Sequence, residues 1–247
     1  VFATSPSKQA FDLSHRATRP VTILGLMVAI VMAVVAPVLA FDWAQHVPFP
    51  GVLAGANFLV TDSTGSEWGP NAQLDLGDRI VAIDGVPLTD QISYERAMVE
   101  AGSRFPPLAQ VTFHRLVSSG NRSCGKLITP QIYECQTMRE ARKLTSDEFA
   151  RLFGLPYGLG FAYLLVGVWI FRQRGQQRGG LALAFFASLT AIDLMLFFEQ
   201  TTTLVLTPIS FLSLGMTSGA LLSLAMVFPQ SPRLLERIPL LRFLGYL

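Results

Sequence analysis

The sequence predicts a membrane protein that combines an α-helical transmembrane bundle of four spans with a small α+β domain outside the membrane. Three observations predict this class. Only 15% of the 247 residues are charged, against about 25% in soluble domains, and the mean hydropathy is +0.43. Four long apolar runs lie along the chain. A stretch with many charges and turn residues, 42–152, separates the first run from the second.

The first apolar run, Val21 to Phe41, contains no charged residue. A helix that crosses a bilayer needs about 20 such residues. Residues 1–19 are therefore expected to be a cytoplasmic segment, followed by transmembrane helix 1 at 20–41. The alternative is a cleaved secretory signal, whose apolar core is usually about 7–15 residues long. Because this run is longer, the pattern favours a retained helix.

The three later apolar runs predict transmembrane helices 2, 3 and 4 at 153–171, 180–198 and 204–228. Four glycines in helix 2 offer small surfaces for close helix packing: Gly154, Gly158, Gly160 and Gly167. Residues 229–247 are expected to form a cytoplasmic or interfacial segment, with the start of a further helix as the alternative. The ending inside an apolar stretch suggests a longer protein.

The basic residues predict the orientation of these helices. Three precede helix 1, three lie between helices 2 and 3, and three follow helix 4, whereas the loop 199–203 has none. Short cytoplasmic loops carry the excess of Lys and Arg, while a domain as large as 42–152 is translocated regardless of its charge. We therefore expect a multi-pass protein of the cell (inner or plasma) membrane, with both ends cytoplasmic and residues 42–152 outside.

Both cysteines of the chain, Cys124 and Cys135, fall in the external stretch. Two cysteines in an oxidising compartment commonly pair. A disulfide here would close a small hairpin-like loop. The alternative is two free thiols.

The most informative segment of the external stretch runs from Leu74 to Leu88. A tight turn at Gly77-Asp78 leads into a strand, and Asp84-Gly85 then makes a second tight turn. The spacing of Ala97, Met98 and Ala101 predicts a short amphipathic helix over 93–101. The alternation in 110–117 predicts a final strand.

This pattern, L-x-x-G-D-x-I-x-x-I-D-G followed by a helix and a strand, resembles that of the circularly permuted PDZ domains of bacteria, over residues 50–117. The resemblance implies a groove between a strand and a helix, into which a peptide adds as a strand. It places the groove at Gly55, Ala56, Asn57, Phe58, Leu59, Val60 and Ala97, with the carboxylate-binding loop at 55–58. That loop departs from the family's Gly-aromatic-Gly-Phe form, so we expect peptide binding in general and not capture of a free C-terminus in particular. The alternative is a scaffold that only packs against other chains.

The order of one helix, an external PDZ-like domain and several helices resembles the input region of bacterial membrane sensors such as PDZ-containing sensor histidine kinases. The resemblance implies a non-catalytic module for signal transduction that binds a peptide or protein outside and relays this event through its helices, with an enzymatic output domain beyond Leu247. The alternative function is an accessory or scaffolding subunit of a larger membrane complex. Expected partners are a peptide or protein, lipids, and other membrane subunits or a second copy.

Several kinds of chemistry lack support in the sequence. There is no His-Glu-x-x-His zinc motif, and the three histidines lie outside the predicted spans, so we expect no metal, no cofactor and no catalytic residue. The net charge of +2 does not indicate nucleic-acid binding. Asp193 is the acid deepest in a span and is a candidate functional residue by default. The alternative is a structural role, in which it bonds to a hydroxyl such as that of Thr190 or Thr217.

Overall fold

The computed structural model describes residues 6–55, 57–63, 74–116 and 124–227. The chain forms two compact units. The helical unit comprises Val1–Pro37, Leu155–Phe197 and Thr207–Leu247, and the sheet unit comprises Val38–Gly154 and Phe198–Leu206. The sheet unit therefore contains the last turns of the first helix as well as the segment between the first two predicted spans.

Six helices and seven strands make up the described part of the chain. The helices are α1 (Pro6–His46), α2 (Gln91–Gly102), α3 (Ser146–Phe149), α4 (Leu155–Arg174), α5 (Arg178–Met195) and α6 (Thr207–Val227), with a π-helical turn at Ala150–Gly154 and a 3₁₀ turn at Glu199–Thr201. The strands are β1 (Val52–Ala54), β2 (Val60–Ser63), β3 (Arg79–Ile83), β4 (Val86–Pro87), β5 (Leu108–Leu116), β6 (Lys126–Thr129) and β7 (Ile132–Glu140).

Three helical segments are long and apolar enough to cross a membrane: Thr18–His46, Ser146–Arg174 and Thr207–Ala225. They correspond to the first, second and fourth predicted spans. At the third, the apolar helix runs only over Gly179–Met195. Such a helix is about 26 Å long, slightly less than the roughly 30 Å hydrocarbon core of a bilayer. It is shorter than the sequence predicts because turn residues, and not further helix, follow Met195.

Small residues bring α4 and α5 together. A Cβ atom added at Gly160 would lie 2.9 Å from the carbonyl oxygen of Ala191, and one added at Gly167 would lie 3.3 Å from the Cβ of Ala187. The predicted packing role of these two glycines is confirmed. Gly158 differs, because a Cβ there would meet no heavy atom within 4 Å in the described part of the chain.

The sheet unit contains a five-stranded antiparallel sheet with the order β4-β3-β5-β7-β6 and a two-stranded sheet of β1 and β2. A bridge between Leu59 and Arg79 connects the two sheets. The hairpin β3–β4 turns at Asp84 and Gly85, whose φ angles of 51° and 78° suit a type I′ turn. The predicted Asp-Gly turn is thus confirmed, and Pro87 lies on an edge strand, where its missing N–H does no harm.

Helix α2 covers the predicted helix and extends it by two residues at the start and one at the end. Asp90 and Ser93 form a reciprocal capping box at its beginning. Its buried face consists of Tyr94, Ala97, Met98 and Ala101. This face packs on the sheet, whose core includes Ile80, Ile83 and Phe113.

The segment 57–60, predicted as the groove strand, is a strand only from Val60 onward. The three residues before it belong to a tight turn in which Phe58 donates its N–H to the Gly55 oxygen and Gly55 donates to the Leu59 oxygen. Phe58 has a φ of 56°, which interrupts extended backbone. Burial of the Phe58 ring offsets the cost of this left-handed conformation.

Candidate functional site

The turn at Gly77-Asp78 is held in place by the neighbouring strand β2. Gly77 has a φ of 90° and donates its N–H to the Val60 oxygen, while Val60 donates to the Asp78 oxygen. Only glycine adopts such a φ without steric cost. The motif therefore fixes where Val60, the last residue of the predicted groove segment, lies relative to β3.

Asp78 forms a buried ion pair with Arg115 of β5. The Arg115 Nε donates to Asp78 Oδ1 at 2.9 Å and Nη2 donates to Oδ2 at 2.6 Å, and the two side chains are 6% and 4% exposed. The hydrogen bond to Asp78 raises the pKa of Arg115, and the charges of Asp78 and Asp75 raise it further against the effect of burial. Sequence reasoning missed Arg115, although a charge in the buried register of β5, beside Val111 and Phe113, was the available signal.

Asp84, the other acid of the motif, fastens the β3–β4 hairpin to β5. Its Oδ1 accepts from the Gln110 N–H at 2.7 Å, and its Oδ2 accepts from Arg104 Nη1 at 2.9 Å. The backbone N–H of Asp84 also donates to the Gln110 oxygen. Asp78, Asp84 and their glycines thus support the fold around the predicted groove, and their side chains are occupied by these contacts.

Of the predicted groove residues, Phe58 meets α2 directly. Its ring stacks on that of Tyr94, with centroids 6.1 Å apart and an interplanar angle of 28°. Burial raises the pKa of Tyr94. Val60 and Ala97 are buried, Leu59 and Asn57 are exposed, and Ala56 lies outside the described residues. The Phe58–Tyr94 contact therefore occupies the space between the 57–60 segment and this part of α2.

An open cleft of about 480 Å³ lies along the other side of α2. It is lined by two residues at the end of α1 and beyond, and by six residues of α2 and its C-cap: His46, Val47, Ile92, Glu95, Arg96, Val99, Glu100 and Ser103. Ile92 and Val99 are 66% and 46% exposed and provide the apolar part of the cleft. Apolar residues on the solvent side of a short helix were the sequence signal for this cleft, and sequence reasoning missed it.

Glu95 is the half-buried acid of the cleft. Burial raises its pKa, and the neighbouring Asp42 carboxylate raises it further, while a hydrogen bond with the Gln91 side chain opposes the rise. Arg96 and Glu100 lie at exposed positions of the same helix. The cleft thus offers apolar contacts bordered by groups of both charges.

The chain segments on either side of the domain are tied together inside the sheet unit. Phe49, just after α1, forms a backbone bridge with Arg142, just after β7. The Arg142 guanidinium in turn pairs with the Glu148 carboxylate, with Nη1 to Oε2 at 3.0 Å. Thr145 and Glu148 form a capping box at the start of α3.

An aromatic cluster surrounds the end of α1 within the same unit. Phe41 lies 4.9 Å from Phe149 between ring centroids, and Trp43 lies 5.6 Å from Phe198. Phe153 contacts Phe149 and Phe198, which completes the cluster. One aromatic cluster thus joins the end of α1, the start of the second candidate span and the turn after α5.

The disulfide between Cys124 and Cys135 is confirmed by the geometry, with Cα atoms 5.4 Å apart. It links the residue two before β6 to a buried position of β7 and closes the β6–β7 hairpin. No free cysteine occurs in the chain, which has only these two.

Asp193 of α5 accepts a hydrogen bond from the Thr217 hydroxyl of α6 at 3.2 Å. The predicted bond to Thr217 is confirmed, whereas Thr190 donates to the Phe186 backbone oxygen instead. Asp193 Oδ1 is buried and has no hydrogen-bond partner among the residues that the structure describes. Nearby Ser213 of α6 donates to the Leu189 oxygen. Hydroxyl groups therefore add hydrogen bonds to the apolar α5–α6 contact.

In the described ranges, no group of three or more His, Cys, Asp or Glu residues is placed to hold a metal ion. Comparisons with protein-family models, with curated proteins and with solved structures found no match to this chain. The function of the chain is therefore inferred from the geometry of the cleft and from the contacts around the end of α1.

Proposed function

We propose that this chain is a membrane-anchored input module that binds a peptide or protein outside the membrane and relays the event through its helices. The observation that carries the proposal is the position of the cleft. Its walls are α2, from the middle of the sheet unit, and the last residue of α1 with the residue after it. A ligand held there would touch the domain and the end of a candidate membrane span at once.

The contacts around α1 give this proposal a physical route. Phe41 and Trp43 of α1 pack against aromatic rings from the start of the second span and from the turn after α5. The Phe49–Arg142–Glu148 contacts connect the same regions by hydrogen bonds and an ion pair. A change in the position of His46 relative to α2 would therefore alter the packing of the segments that adjoin α1, α4 and α5.

The domain is proposed to be PDZ-like, in line with the order of its turn motif, hairpin, α2 and β5. The chain is proposed to have four spans, with α5 as the third, both ends in the cytoplasm and the sheet unit outside. The basic residues beside the helices support this orientation. A test of topology is the labelling of Leu127→Cys, an exposed position on β6, by a membrane-impermeant maleimide in intact cells. Protection of this thiol until the cells are opened would contradict the proposed orientation.

Peptide binding can be tested with the purified full chain in detergent and fluorescein-labelled pools of random heptapeptides, by fluorescence anisotropy. We expect at least one pool to bind, and Ile92→Glu or Val99→Glu to abolish its binding, because a charge would then enter the apolar part of the cleft. Ile128→Glu is the matched control, since Ile128 is an apolar residue of strand β6 that is 48% exposed, close to the 46% of Val99. If no pool binds, or if all three variants bind alike, peptide binding at the cleft is wrong.

A second function, that of an accessory subunit in a membrane complex, is favoured by a separate observation on α4. Gly158 and its neighbours Leu155 and Leu159 are exposed, and a Cβ atom added at Gly158 would meet no heavy atom of the described chain within 4 Å. Small residues on an open helix face allow another helix to approach closely. Purification in mild detergent separates the two functions, because a subunit retains a stoichiometric partner that Gly158→Leu displaces, whereas an input module retains none.

A further inference from the structure

The loop between α2 and β5 presents an aromatic side chain entirely to the outside. Phe105 is 99% exposed, and its neighbours Arg104 and Pro106 are also exposed. A phenylalanine in this position leaves its whole apolar surface in water, which is unfavourable unless something covers it. Contact of this side chain with an apolar phase would therefore be favourable.

The loop is held firmly at both ends. Ser103 donates to the Val99 oxygen at the end of α2, and Arg104 donates its N–H to the Ala101 oxygen. On the other side, Leu108 donates to the Pro106 oxygen. Phe105 is thus presented by a backbone that is fixed by hydrogen bonds on either side.

The same loop lies beside the two segments that lead to membrane helices. A Cβ atom added at Gly102 would lie 2.5 Å from the Pro48 side chain, two residues after the end of α1. Ala141 donates to the Pro107 oxygen at 2.7 Å, five residues before α3 begins. All of these residues belong to the sheet unit.

The distance from these segments to the bilayer is short. The apolar run of α1 ends at Phe41 and the helix ends at His46. At 1.5 Å per residue, the last five residues rise about 7 Å above the hydrocarbon core. The polar headgroup layer on each side is roughly 5–7 Å thick, so a helix upright in the bilayer would place His46 at its outer boundary and Pro48 just beyond it.

We propose that Phe105 anchors the loop in the interfacial layer of the same bilayer that α1 crosses. The occupant is lipid, because the loop adjoins the end of a membrane-spanning segment. Phe105 contacts the lipid through its apolar ring and not through charge. The one cation beside it, Arg104, is already paired with Asp84 and Glu100. The anchor therefore works equally well in zwitterionic and in anionic membranes.

Spin labelling of the reconstituted full chain tests the anchor. A label at Phe105→Cys, introduced without reductant so that the disulfide stays intact, is compared with a label at Leu127→Cys, in phosphatidylcholine vesicles with and without phosphatidylglycerol. We expect the Phe105 label to be more accessible to oxygen than to a polar nickel chelate in both kinds of vesicle, and the Leu127 label to show the reverse. Full access of the nickel chelate at Phe105, or depth seen only with anionic lipid, overturns the proposal.

A second label keeps the test independent of the loss of the phenylalanine. With a label at Ser103→Cys, replacement of Phe105 by Ser is expected to increase access of the nickel chelate, because the loop then leaves the interface. Since both positions are exposed, these variants are expected to fold. A label at Ser103 that is shielded from oxygen and chelate alike would show that a second copy of the chain covers the loop, and would overturn lipid as the occupant.

Discussion

Asp78 in the sheet unit and Asp193 in the helical unit are both acids with buried oxygen atoms, but their partners differ. Asp78 is paired through two hydrogen bonds with a buried arginine that lies far along the chain. Asp193 has a threonine hydroxyl on the neighbouring helix, and one of its oxygens has no partner in the described part of the protein. The buried acid of the sheet unit thus joins distant segments through an ion pair, whereas the acid of the helical unit joins two adjacent helices through one hydrogen bond.

The largest effect is expected for Asp78→Ala. Removal of one partner of a buried ion pair leaves the other charge uncompensated and typically costs about 3–5 kcal/mol. Asp75→Ala is the matched control: Asp75 also contacts Arg115, at 3.0 Å, but is 50% exposed, so its loss is expected to cost at most about 1 kcal/mol. Chemical unfolding of the full chain in detergent measures both. Equal losses of unfolding free energy would show that the buried ion pair stabilises the fold no more than the exposed contact of Asp75 does.

The disulfide is the second strong link of the sheet unit. Replacement of both Cys124 and Cys135 by Ala is expected to lower the free energy of unfolding by up to about 3 kcal/mol, because a closed loop restricts the unfolded chain. The wild-type protein in reductant should match the double variant. A double variant as stable as the oxidised protein would disagree with this expectation.

In the helical unit, Gly160→Ala tests the close contact between α4 and α5. The added methyl group meets the Ala191 carbonyl oxygen at 2.9 Å, and overpacking of this kind costs about 1–3 kcal/mol. Gly158→Ala is the control on the same helix, and it is expected to gain up to about 1 kcal/mol from the higher helix propensity of alanine. Thermal unfolding in detergent should shift in opposite directions for the two variants. A shift in the same direction would place the α4–α5 contact elsewhere.

A smaller loss is expected for Thr217→Val, which removes the hydroxyl that bonds to Asp193. Hydrogen bonds between membrane helices contribute on average about 0.6 kcal/mol. If this variant were as damaging as Asp78→Ala in the same unfolding assay, the contrast between the two units would fail.

The smallest effect is expected for the pH dependence of stability that Glu95 causes, because this acid is only half-buried at the surface of the sheet unit. Its raised pKa means that the folded state binds the proton more tightly than the unfolded state does. The associated stability is fully present below the ordinary glutamate pKa of about 4.3 and is lost as the pH rises above it. Glu95→Gln should therefore gain stability relative to the wild type as the pH increases from about 4 to 6. A difference that is constant over this range would mean that Glu95 does not titrate abnormally.

Features that depend on neighbouring residues were predictable. The apolar runs predicted the helices, and the Asp84-Gly85 dipeptide predicted the hairpin. The strand predicted over the groove segment 57–60 was wrong before Val60, because Phe58 adopts a left-handed conformation that its residue type does not favour. That conformation depends on the burial of its ring beside Tyr94, a residue on another element.

The sequence by itself determined that this chain has long apolar helices, an intervening domain with a tight-turn motif, and a cysteine pair at hairpin spacing. Each of these follows from hydrophobicity, turn chemistry or spacing, which act over a few residues. The tertiary structure alone decided that Asp78 pairs with Arg115, that Asp193 bonds to Thr217 and not Thr190, and that a cleft opens between α2 and the end of α1. These contacts join residues far apart in the chain, so only the packing of whole elements selects them.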